Sequence, residues 1–174
     1  MTWTTRAAER AQELLNELQV HEAPIDVRDI GRQLGVIVLE EDLEGEVSGM
    51  LTREARRPVI LVNRSDSITR KRFSIAHELG HFLLHKETVF VDRRVRFRNQ
   101  RSSLGIDREE IEANQFAAEL LMPTDFIGRI FSQLQDAGCA EDCEELVSKM
   151  AGSFEVSPQA MEIRLVNLGI LSTV

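Results

Sequence analysis

The stretch His77-Glu78-Leu79-Gly80-His81 constrains this chain more than any other. Residues four apart on an α-helix stack on one face, so His77 and His81 can present both imidazoles to one metal ion. Glu78 stands one step round from His77, close enough to reach a water at that ion without ligating the ion itself. One turn of helix thus supplies two ligands and a base. The bland alternative is a core helix with two satisfied histidines. Phe73, Ala76, Leu79, Gly80, Leu83 and Leu84 make the segment apolar over much of its circumference, so it must be buried against a sheet.

The flanking sequence supplies that sheet. Val36-Ile37-Val38-Leu39 reads as a buried strand, and residues 46–52 and 58–62 as two more, joined by the charged turn at 53–57. Strands so short and closely spaced predict a small, antiparallel sheet. Two helices precede it. Residues 4–19 carry Ala7, Ala11, Leu14 and Leu18 on one stripe, and a short helix opens at Pro24 and Asp26 and stops at Gly35. Ser65-Asp66-Ser67 offers N-caps for the motif helix, which runs to about His85. Residues 88–97 alternate as an edge strand or extended loop does. Asp107 and Glu110 resemble a capping box for a helix over 108–122, ended by Pro123. Three helices follow, the first capped by Thr124 or Asp125, the second over 141–151, the last opened by Ser157-Pro158 and stopped at Gly169. The expected class is α+β: a small, mostly antiparallel sheet packed with several helices, forming one domain over 1–174. Residues 141–170 form a subregion with a helix-turn-helix rhythm.

Charge narrows the functions open to such a domain. The net charge of −8 argues against indiscriminate binding to nucleic acid or acidic membranes. From Arg64 to Arg101, however, ten Lys/Arg face four Asp/Glu, a local +6, while the remaining eleven against twenty-five leave −14. No apolar run reaches transmembrane length, and the polar start does not open a secretory signal. Cys139 and Cys143 are too few for a disulfide framework and read as ordinary, partly buried thiols. These features predict a cytoplasmic protein without a membrane partner.

A catalytic zinc usually takes three protein ligands and keeps a position for water. The metzincin pattern would need a glycine and a histidine where the chain has Leu84 and Glu87, and the inverted HxxEH pattern is absent. A glutamate from a later helix remains. Glu109, Glu112 and Glu119 fall on one face of the helix over 108–122, whereas Glu110 points elsewhere. Geometry alone does not separate the three.

The stretch from Thr69 to His85, with its HELGHFLLH core, resembles the motif-bearing helix of the ImmA/IrrE family of metallopeptidases. Glu112-Ala-Asn-Gln-Phe-Ala-Ala-Glu-Leu-Leu-Met-Pro123 is similar to that family's second block, and residues 25–38 and 156–169 fit the same pattern. The resemblance implies a zincin-like core in which His77, His81 and Glu112 bind one zinc ion per chain, with a gluzincin-like third ligand. It implies that Glu78 is the catalytic base of a cytoplasmic zinc endopeptidase. The implied substrate is a helix-turn-helix repressor whose cleavage releases stress, phage or mobile-element genes. The chain has no tyrosine to stabilise the oxyanion, which leaves His85 or an arginine from the stretch after it. His85 serves equally as an imidazole against the helix dipole.

Two other functions are open on sequence grounds. One is a nucleic-acid-binding regulator, although Lys149 and Arg164 are outnumbered by acidic residues in the helix-turn-helix-like subregion. The other is a zinc-bound but inactive interaction module, for which an intact Glu78 has no use. Arg93, Arg94, Arg96, Arg98 and Arg101 would suit an acidic substrate segment or a nucleic-acid activator, or else form a solvated loop.

Overall fold

The computed structural model describes residues 6–53, 56–86, 89–93, 104–136 and 142–172. Helix α1 (Arg6–Glu17) buries Ala7, Ala11 and Leu14 of the expected stripe together with Leu15, while Leu18 lies past the helix end and is half-buried. Asp26 caps α2 (Val27–Gln33) by accepting from the backbone N–H groups of Arg28 and Asp29, both at 3.0 Å.

Strands β1 (Ile37–Glu41), β2 (Val47–Thr52), β3 (Val59–Asn63) and β4 (Val89–Arg93) form one sheet in the order β1-β3-β2-β4. Its β2–β3 and β2–β4 pairings are antiparallel, but β1 pairs with β3 in parallel. The sheet is therefore mostly antiparallel, as expected, with one parallel pairing at the β1 edge. The link over 42–46 makes this possible by crossing the end of β3. There the buried Asn63 donates from Nδ2 to the carbonyls of Leu43 (3.2 Å) and Val47 (2.9 Å), and Gly45 takes a φ of +71°. Strand β4 is an edge, as the alternation of the sequence suggested for this stretch.

Helix α3 (Ile68–Leu84) carries the histidine motif and packs on β2 and β3. Ser67 caps it, and every residue from Ser74 to His81 is buried. Helix α4 (Leu104–Leu121) packs against both α3 and α1. It begins four residues before the expected start at 108, so Asp107 and Glu110 lie inside the helix instead of capping it. Acidic residues favour the first turns through the macrodipole whether or not they cap, so they locate a helix end only to within a turn.

Helices α5 (Thr124–Asp136), α6 (Cys143–Phe154) and α7 (Pro158–Asn167) complete the chain. Ser157 caps α7 with proline at its first position, as expected. Arg72 of α3 donates to the carbonyls of Phe154 (3.2 Å) and Glu155 (3.1 Å), tying the end of α6 to the motif helix. Cys143 is unlinked and exposed at the first turn of α6, not partly buried, because the capped N-terminus of that helix faces solvent. Cys139 lies outside the described residues. No helix among the described residues is long and apolar enough to cross a membrane.

Candidate metal centre

His77, Glu78 and His81 sit in the buried stretch of α3, between the sheet and α4. The Nε2 atoms of the two histidines face one another at 3.0 Å. The carboxylate of Glu110, on α4, closes the triangle, with Oε2 3.3 Å from His77 Nε2 and Oε1 3.3 Å from His81 Nε2. Ligand bonds of about 2.0–2.1 Å around a tetrahedral ion place ligand atoms about 3.3 Å apart, so this donor set fits a metal of zinc's size. Among the described residues, His77, His81 and Glu110 form the group that could hold a metal ion.

Electrostatics agree with that geometry. Burial lowers the His81 imidazole below its ordinary value, which favours a neutral ring with a lone pair to offer. Burial alone would raise the Glu110 carboxyl, but hydrogen bonding to His77 and His81 outweighs it and lowers the group to about 2. An anionic carboxylate thus faces the two ring nitrogens.

Glu110, on a different face of α4 from Glu109, Glu112 and Glu119, is the carboxylate that meets the two histidines. The apolar stripe of α4 decides which face meets α3. It runs through Ala113, Phe116, Ala117 and Leu120, all fully buried, and Glu110 lies three residues before Ala113 on that stripe. Glu112, expected as the third ligand, points instead to His85 (Oε2 to Nε2, 3.2 Å) and Arg108 (Oε1 to Nε, 2.9 Å). Arg108, followed by His85, holds the Glu112 carboxyl below the usual range. Glu119 is buried at the far end of α4, accepting from Gln12 Nε2 (2.8 Å), the Thr124 backbone N–H (3.0 Å) and Arg164. Glu109 lines a small cavity beside His85 and is not part of the metal-binding group.

Three supporting residues escaped the sequence reading. Asn114, four residues after Glu110, lies 3.1 Å from His77 Nδ1 through its Oδ1. That contact fixes Nδ1 as the protonated nitrogen and leaves Nε2 free for a metal. The spacing of Glu110 and Asn114 was the available signal. Arg53, assigned to a charged turn, donates from Nη2 to the carbonyls of His81 (3.1 Å), Phe82 (2.8 Å) and His85 (2.8 Å). It therefore caps the C-terminus of α3, the task the sequence also offered to His85. Gly49 of β2 passes so close to α3 that a Cβ there would lie 3.2 Å from Glu78 Oε1 and 3.3 Å from Ser74 Cβ.

His85 is buried, with Nδ1 3.0 Å from His81 Nδ1. Since Nδ1 and Nε2 lie on opposite sides of the ring, His85 stands behind His81, away from the cluster. The side chain of Arg93 and the whole of Arg94, Arg96, Arg98 and Arg101 lie outside the described residues.

The chain is similar in fold to a Mycobacterium tuberculosis transcriptional regulator, with a TM-score of 0.63 at 18% identity over 92% of this chain and 46% of that one. It is 30% identical over 95 residues to "Uncharacterized immunity region protein 2" of Bacillus phage phi105, covering 55% of this chain and 57% of the phage protein. It is 29% identical over 101 residues to "Metallopeptidase ImmA" of Bacillus subtilis (strain 168), covering 58% of this chain and 56% of that relative. The matched stretch thus spans just over half the length of each curated relative. The motif helix and the helix bearing Glu110 both fall within residues 32–166, the stretch matched by the IrrE N-terminal-like domain, and the chain belongs to that family, Peptidase M78.

Proposed function

We propose that this protein is a zinc endopeptidase in which His77, His81 and Glu110 hold the metal and Glu78 is the general base. The observation that carries this reading is the triangle of two Nε2 atoms and one carboxylate, with sides of 3.0, 3.3 and 3.3 Å, next to a buried glutamate. When bound, zinc supplies Lewis-acid chemistry, acidifying a water and polarising the scissile carbonyl. The chain's own residues do the rest. Asn114 orients His77, and the packing of α3 on β2 confines Glu78. Glu78 takes the proton from the attacking water and delivers it to the leaving amine, one carboxylate serving as base and then acid.

The substrate we propose is a helix-turn-helix repressor, whose cleavage releases phage, mobile-element or stress genes. A relative named for a phage immunity region supports this choice, as does one named a metallopeptidase. A repressor substrate places the reaction in the cytoplasm. The nucleic-acid-binding alternative loses its basic residues to intramolecular partners: Arg164 pairs with Glu119, and Lys149 Nζ lies 2.7 Å from Glu145. The test is to incubate the zinc-loaded protein with the repressor encoded beside it. Two fragments should appear with wild type and not with Glu78→Gln. An intact repressor in both reactions would contradict the proposed substrate.

A further inference from the structure

Behind the metal cluster, polar contacts run outward in a line. His81 Nδ1 meets His85 Nδ1 at 3.0 Å, His85 Nε2 meets Glu112 Oε2 at 3.2 Å, and Glu112 Oε1 meets Arg108 Nε at 2.9 Å. We infer that His85 and Glu112 are positioning residues that lock the tautomer and ring orientation of His81, so that Glu112 acts on the metal site only through His85. This rests on the proposed zinc site.

The proton positions follow from valence. A neutral imidazole that ligates through Nε2 carries its proton on Nδ1. His81 Nδ1–H must then donate, and the atom facing it, His85 Nδ1, must accept. His85 therefore carries its own proton on Nε2, where the Glu112 carboxylate accepts it. Each member sets the tautomer of the next, and Glu112, an anion that cannot donate, fixes the direction of the line. Without Glu112, His85 is free to move its proton to Nδ1. Two N–H groups would then face each other across 3.0 Å, and His81 would have to turn. Burial of both rings leaves little room for water to repair the line. Arg108 completes it by holding the other oxygen of Glu112.

Competition with a chelator, using Zn2+ as the probe, tests the relay. Outer-shell partners of a metal-bound histidine typically contribute about 10–100-fold to metal affinity. His85→Phe should bind zinc about 10–100-fold more weakly than wild type, and Glu112→Ala about tenfold more weakly. Glu112→Gln should be close to wild type, because its amide oxygen still accepts from His85. The double variant His85→Phe/Glu112→Ala should be no weaker than His85→Phe alone, the signature of residues acting in series. Cobalt-loaded Glu112→Ala should also show a shifted visible spectrum, which a purely structural role would leave unmoved. Glu112 is partly exposed on α4, so its variants test the relay even if His85→Phe fails to fold. Unchanged zinc affinity in Glu112→Ala, or losses that multiply in the double variant, would overturn the relay while leaving the zinc site standing. Equal, complete loss of zinc in Glu112→Ala and Glu112→Gln would also overturn it, by making Glu112 a ligand. A wild-type protein that takes up no zinc would overturn the site itself, and the relay with it.

Discussion

Gly80 on α3 and Ala113 on α4 meet backbone to backbone: a methyl at position 80 would lie 3.1 Å from the Ala113 Cα and 3.2 Å from its carbonyl oxygen. This contact sets the separation of the two helices that hold the cluster. His81 adjoins Gly80, and Glu110 precedes Ala113 by one turn. Gly80→Ala should force the helices apart. The gain in helix propensity, about 1 kcal/mol, opposes an overpacking cost of about 1–3 kcal/mol. The atoms in the way are backbone and the Phe116 ring, so overpacking should win. Thermal unfolding should show a less stable protein, and chelator competition a weaker metal site. A variant as stable as wild type, with unchanged zinc affinity, would refute the role given to this contact.

Glu78 separates binding from chemistry. Glu78→Gln keeps the shape of the side chain and removes the base, so zinc should remain while cleavage falls by about 10²–10⁴-fold. Gly49→Ala reaches the same carboxylate from the other side, since its Cβ would press on Glu78 Oε1 at 3.2 Å. It should lower kcat at full zinc occupancy. Wild-type rates in Glu78→Gln would end the proposed mechanism.

Glu119 and Arg164 form a buried ion pair that joins α4 to α7, with Gln12 of α1 and Thr124 of α5 bound to the same carboxylate. Removing one member of such a pair leaves a buried charge and costs about 3–5 kcal/mol. Arg164→Leu should therefore lower the unfolding midpoint sharply, while the protein that remains folded keeps zinc. Loss of zinc in a stably folded Glu119→Gln would instead bring Glu119 back as a ligand.

The motif helix was legible because three signals coincide in it: the His77/His81 spacing, the Ser67 cap and an apolar circumference. The helices at both ends were legible for the same reason, through Asp26, Ser157 and Pro158. The parallel β1–β3 pairing was not, because it depends on Asn63 satisfying the carbonyls of a link far from it in sequence. The face of α4 that meets α3 was not legible for a related reason. Glu109, Glu112 and Glu119 were grouped by their own spacing, whereas the orientation of α4 is set by Ala113, Phe116 and Ala117. Arg53 shows the same limit: a charge in a turn gains a role only when the sheet brings it to the end of α3.

Anomalous diffraction at the zinc absorption edge, from crystals of the zinc-loaded protein, tests the central claim most directly. One zinc peak per chain should lie within about 2.0–2.2 Å of His77 Nε2, His81 Nε2 and a Glu110 oxygen. Glu112 should remain with His85 and Arg108, outside bonding distance. A zinc peak bonded to Glu112 in place of Glu110, or no peak between the two histidines, would contradict the account.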